Sequence, residues 1–137
     1  MTALVLSLLS LATAGAPGIT VHIEGLRSAR GTLRCALHNR AEAFPVDVTK
    51  AVSTTTAPAQ VGGVVVHFDP PPVGDYAVAC FHDENGNGKL DANFLGIPQE
   101  GVGSSNDAKG HFGPPKFADA QFHFAGTEAA LTIHLQY

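Results

Sequence analysis

The chain has no surplus of basic residues: 8 Lys and Arg stand against 12 Asp and Glu, for a formal charge of -4. A protein that holds phosphates by electrostatics needs a basic field, so nucleic acid is excluded as an expected partner. The 7 histidines would reverse the sign of that charge under acid conditions. Charged residues make up only 15% and apolar residues 45%, a balance that excludes a disordered chain. No apolar run approaches the about 20 residues that cross a bilayer as a helix, so stable membrane insertion is not expected. Internal repeats and low-complexity tracts are missing as well. Apolar segments follow one another at hairpin spacing, leaving no room for crossover helices between parallel strands, which excludes an α/β architecture.

What is present points to one small β-rich domain. A length of 137 residues suits a single core, and 15 Gly with 9 Pro imply many turns and few long helices. The first residues contain an uncharged run from Ala3 to Ala12 followed by small residues, the h-region and cleavage pattern of a secretory signal peptide. Ala12-Thr13-Ala14 places cleavage after Ala14, although this n-region carries no Lys or Arg. The expectation is a signal peptide at 1–14, a mature domain at 15–137 and export to the periplasm or beyond. The alternative is an apolar first strand of a cytosolic domain.

Alternating apolar residues mark the strands and Gly, Pro and Asp mark their ends. The expected strands are 19–24, 32–38, 63–68, 75–82, 120–124 and 129–136, with a weak edge strand at 52–59. Residues 39–50 fit neither helix nor strand, because Pro45 interrupts a helix; they are expected to form a turn whose Phe44 caps the core. The stretch 83–119 is polar and Gly-rich, and reads as one long inserted loop that packs through Phe94, Leu95, Ile97, Phe112 and Phe117. The fold class is therefore all-β, a Greek-key sandwich of six or seven antiparallel strands in two sheets. Cys35 and Cys80 both lie on inward faces, so a disulfide is feasible, as is a pair of buried free thiols.

The sharpest chemical signal is Asp83-Glu84-Asn85-Gly86-Asn87-Gly88-Lys89-Leu90-Asp91. Oxygen-bearing groups at alternate positions converge if the chain curls around a point, and Gly88 permits the bend. This is the spacing of a calcium loop, whose ligands come from positions 1, 3, 5, 7 and 9 with Gly at 6. Those positions are Asp83, Asn85, Asn87, the Lys89 backbone carbonyl and Asp91. Position 12 holds Phe94 instead of a bidentate Glu, so a further oxygen has to come from Glu100, Asp107 or Asp119, and Glu100 completes the candidate set. The competing reading is an Asx-rich turn whose side chains bond their own backbone.

His22, His38, His67, His123 and His134 each fall opposite the apolar face of a strand, so most are expected in solvent; a transition-metal cluster lacks close ligand spacing. Ser104 and Ser105 lack the G-x-S-x-G elbow of a serine nucleophile. Asp83, His82, Glu100 and Asp119 are the acid–base groups an enzyme would have at the 82–119 loop.

The runs Gly74-Asp75-Tyr76-Ala77-Val78, Phe81 to Asp91, Leu95-Gly96-Ile97-Pro98-Gln99-Glu100-Gly101 and Gly103-Ser104-Ser105-Asn106 resemble the exported bacterial proteins gathered as domain of unknown function 2141. The likeness is strong in the second half and general in the first. It implies a secreted or periplasmic domain of about this size with an immunoglobulin-like or transthyretin-like sandwich, and it implies no activity. Val102 stands where members commonly have an aromatic residue. The combined expectation is an exported, non-enzymatic module with a calcium-ordered loop that serves a protein or glycan partner. Its alternatives are an enzyme using the 82–119 carboxylates and His82, and a metal-free structural domain.

Overall fold

The computed structural model describes residues 17–93, 95, 97–111 and 113–137. The segment read as a signal peptide, and Phe94 and Phe112 of the expected packing set, lie outside the described residues. The strands are β1 (Gly18–Leu26), β2 (Thr32–His38), β3 (Ser53–Pro58), β4 (Gly62–Phe68), β5 (Gly74–Asp83), β6 (Val102–Ser104), β7 (Phe122–Phe124) and β8 (Glu128–His134), with one helical turn, α1 (Phe117–Ala120), before β7. They form a three-stranded sheet in the order β4-β1-β8 and a five-stranded sheet in the order β3-β2-β5-β6, with β7 paired to the start of β5. Among the described residues no helix is long and apolar enough to cross a membrane.

The core lies between the two sheets, where the alternation read from the sequence buries its apolar face. Ile19, Val21 and Ile23 of β1 sit opposite Phe68, Val66 and Val64 of β4. With Ile133 they pack on Leu33 and Leu37 of β2, on Tyr76 and Val78 of β5, and on Phe124. Cys35 and Cys80 are direct partners across the β2–β5 ladder. A disulfide joins them, which resolves the choice left open by the sequence. A second, smaller cluster of Phe44, Ala77 and Ala120, with Phe117 against it, covers the outer face of the five-stranded sheet. Phe44 is buried, therefore, but over the back of that sheet and not over the main core.

Three features depart from the sequence reading. β8 pairs with β1 in parallel register, Ile19 opposite Ala129 and Ile23 opposite Ile133. Hairpin spacing constrains strands that are neighbours in sequence, and these two come from opposite ends of the described chain. The 83–119 stretch is not one loop, because it contains β6 and most of α1. His38, expected in solvent, is fully buried. Residues 39–50 and 117–120 roof the face it occupies, and its ring meets Phe44 edge-on at 5.5 Å. Among the described residues neither of its ring nitrogens has a hydrogen-bond partner. Burial pushes the imidazole below its ordinary pKa, and the Pro45 carbonyl and the Asp47 charge offset this only in part.

Candidate functional site

The loop springs from the end of β5. Strand alternation turns Tyr76, Val78 and Cys80 toward the opposite sheet and Ala77, Ala79, Phe81 and Asp83 away from it. Arg34 of β2, paired with Phe81, shares that outward face. Its Nε donates to Asp83 Oδ2 at 2.8 Å, and the Gly88 amide donates to the same oxygen at 2.8 Å. Asp83 is 0% exposed, and among the described residues its Oδ1 has no hydrogen-bond partner. Burial favours the neutral acid, yet the Arg34 guanidinium and the Gly88 amide outweigh it and hold the carboxyl below the usual carboxylate range.

Beyond Asp83 the chain turns twice. Asn85 Oδ1 accepts from the Asn87 amide at 3.2 Å and Asn87 Oδ1 accepts from the Lys89 amide at 2.9 Å, two successive Asx turns. Gly86 and Gly88 take φ of 68° and 77°, the left-handed region in which a Cβ is unfavourable. Both Asn side chains then direct their NH₂ groups at Asp91, Asn85 to Oδ2 and Asn87 to Oδ1. Glu100, nearly buried, closes the loop at its base: Oε2 accepts from the Glu84 amide at 2.8 Å and Oε1 from the Asp91 amide at 3.0 Å. Asp83, Asn85, Asn87, Asp91 and Glu100 are thus gathered into one loop, and Lys89 joins it through its amide. Among the described residues, every side-chain oxygen of these five groups faces an N–H donor except Asp83 Oδ1. Among the described residues, no three His, Cys, Asp or Glu side chains meet at metal-binding spacing.

Ala92, Asn93, Leu95, Ile97 and Pro98 lie beyond the loop. Ala92 bridges Pro98, and Asn93 Oδ1 accepts from the amides of Leu95 at 2.9 Å and Ile97 at 3.1 Å. Leu95 and Ile97 are consequently 69% and 54% exposed. They were expected to anchor the loop by packing; instead the Asn93 side chain holds the backbone and the two aliphatics face solvent.

The other acid–base candidates are dispersed. His82 is fully buried. Its Nε2 donates to the Arg30 carbonyl at 2.6 Å, which leaves Nδ1 to accept from the Tyr137 hydroxyl at 2.7 Å. Tyr137 in turn accepts from the Arg27 amide, and its ring lies under the Arg27 guanidinium at 4.4 Å. Burial raises the Tyr137 pKa. Arg27 pairs with Glu84 and keeps that carboxyl low. Asp119 is exposed within α1, and Asp107 is paired with His134, so neither joins the loop.

The Gly-Ser-Ser-Asn run is structural. The Ser105 hydroxyl donates to the Ala120 carbonyl at 2.6 Å and accepts from the Val78 amide at 2.9 Å, tying α1 to β5. Asn106 and Asp107 adopt φ of 59° and 49°, which swings the Asp107 carboxylate back onto β8. Sequence reading missed Arg34 and Tyr137, and weighed Ser105 only as a nucleophile and not as the tie it forms. The alternation of Leu33, Cys35 and Leu37 does place Arg34 outward, but its partner is set by strand register.

His134 yields a pH prediction. Its Nδ1 meets Asp107 Oδ2 at 2.8 Å and its Nε2 meets Glu24 Oε2 at 3.1 Å. The hydrogen bond and charge of Asp107, with a smaller contribution from Glu24, raise its pKa. A raised folded-state pKa stabilises fully below the ordinary value of about 6.5, and the gain disappears as pH climbs through the raised value. NMR titration of the His134 ring should give a midpoint above about 6.5 that drops in Asp107→Asn. An unchanged midpoint in that variant would contradict the pairing.

These features define a class: an all-β, two-sheet protein with an Asx-rich loop at the end of a central strand. The chain belongs to the family described as "Uncharacterized protein conserved in bacteria (DUF2141)", whose model matches residues 21–132. No curated protein and no solved structure matches it.

Proposed function

We propose that the chain is an exported, non-enzymatic binding module in which the 83–91 loop takes up one calcium ion and so fixes the exposed Leu95 and Ile97 beyond it for a partner protein or glycan. The observation that carries this reading is Asp83 Oδ1, a fully buried carboxylate oxygen without a donor among the described residues. Leaving such an oxygen unpaired is unfavourable, and a cation supplies the missing partner. Asp91 adds a second carboxylate. The amide oxygens of Asn85 and Asn87 each retain a lone pair beyond their backbone bonds. The Lys89 carbonyl is the remaining loop oxygen, and Glu100 braces both ends of the loop. Few formal charges place the affinity in the extracellular range, about 10⁻⁴ to 10⁻³ M. Export rests on the leader-like residues 1–14.

The test is a thermal melt with and without calcium. At roughly ten times the dissociation constant, binding adds about 1.4 kcal/mol, or ~5 °C for a domain of this size. Wild type should show that rise at millimolar calcium and Asp83→Asn should not. Equal midpoints with calcium and with chelator in wild type would remove the metal from the proposal.

One observation favours a second reading, a metal-free Asx lid: both Asp91 oxygens and both Asn oxygens already face N–H donors. That reading predicts indifference to chelators, so the same melt separates the two.

A further inference from the structure

We propose that Arg34 is a tethered counter-cation for the loop, which keeps Asp83 neutralised when calcium is scarce and weakens calcium binding by charge repulsion. This rests on the calcium reading and adds how the site is regulated.

The geometry begins with β2–β5 register. Arg34 lies opposite Phe81, two residues before Asp83, on the same outward face. From there its Nε reaches Asp83 Oδ2 at 2.8 Å. The guanidinium also sits beside the loop itself, since a Cβ on Gly88 would be 4.0 Å from Arg34 Nη2. The two members of the ion pair differ in burial: the Asp83 side chain is 0% exposed and that of Arg34 is 35% exposed. The carboxylate is therefore dry, while the arginine side chain keeps about a third of its surface in water.

A buried carboxylate without a counter-charge is strongly unfavourable, so the loop needs a cation near Asp83 at all times. Arg34 supplies one from within the chain and uses one oxygen, Oδ2. Oδ1 stays available. A divalent ion there would lie within a few ångströms of the guanidinium, and two positive charges at such a distance repel appreciably even at surface-like dielectric. Calcium must either bind against that repulsion or displace the arginine. Either way the apparent affinity falls, and the loop keeps its fold without the ion.

The test uses the full mature domain with two variants, Arg34→Gln and Arg34→Lys, with calcium chloride as titrant, followed by calorimetry and thermal melts. Arg34→Gln removes the charge and should bind calcium about tenfold more tightly than wild type. Its midpoint should drop in chelator and recover at millimolar calcium, so its calcium-induced rise exceeds that of wild type. Arg34→Lys keeps the charge and should stay near the wild-type affinity. Equal or weaker binding by Arg34→Gln overturns the proposal while leaving the calcium site standing. So does an Arg34→Gln chain that remains unfolded in excess calcium, because the ion then fails to replace the guanidinium. If neither wild type nor the variants bind calcium, the calcium reading falls and Arg34 has nothing to oppose.

Discussion

Gly31→Ala should lower the free energy of unfolding by about 4 kcal/mol, in the range reserved for substitutions with a specific steric cause. Gly31 has φ of 72°, and a Cβ built there stands 2.0 Å from the Asp83 carbonyl oxygen and 2.8 Å from that of Glu84. The left-handed backbone alone costs a non-glycine residue roughly 1–2 kcal/mol. The remainder comes from the contact, because both obstacles are main-chain atoms with no rotamer to escape into. Gly62→Ala is the internal control. Its φ is 92°, but no atom of the described residues lies within 4 Å of its would-be Cβ. It should show only the conformational cost, about 1–2 kcal/mol. Urea unfolding of the two variants measures the difference. Equal destabilisation would mean that the strand end relaxes freely around residue 31.

Replacing both cysteines, Cys35→Ala with Cys80→Ala, should cost a similar amount for a different reason. The bridge spans a sequence separation of 45, and closing a loop of that length in the unfolded chain corresponds to about 4 kcal/mol by the chain-entropy relation. The variant should still fold. The β2–β5 ladder runs unbroken from Thr32 opposite Asp83 to His38 opposite Ala77, so register does not depend on sulfur. The unfolded chain is less restricted once the bridge is gone, and the urea dependence should steepen as more surface becomes exposed on unfolding. A loss below about 1 kcal/mol would show that the bridge adds little to what the ladder already enforces.

The strands of the main core were readable because each shows its period in few residues. Ile19, Val21 and Ile23, or Val64, Val66 and Phe68, alternate cleanly since one face meets the other sheet and one meets solvent. Where both faces are covered the signal vanishes. β5 is buried through Tyr76, Ala77 and Val78, and nothing in a lone sequence says that residues 39–50 and 117–120 roof its back. The same ignorance put His38 in water. β6 escaped because Val102-Gly103-Ser104 is too short to show alternation; its Gly103 is explained by Ile133, whose Cγ2 would lie 2.5 Å from a Cβ there.

The candidate loop was legible in its ligand positions and in Gly88, since those are fixed by spacing along one segment. Its surroundings were not. Arg34, Tyr137 and the bracing of both loop ends by Glu100 depend on register between elements far apart in sequence. Glu100 was chosen as a supplementary oxygen, and the structure brings it to the loop through two backbone amides.

The parallel union of β1 with β8 bears on how the molecule comes into being. Its partners are separated by 110 residues, Gly18 with Glu128 and Glu24 with His134. Contacts of such high order form late and slowly, because most of the intervening chain must be gathered first. Until residues 128–134 join it, β1 keeps that flank open. During that interval the exposed edge of β1 is open to pairing with another copy, so refolding yield should fall as protein concentration rises.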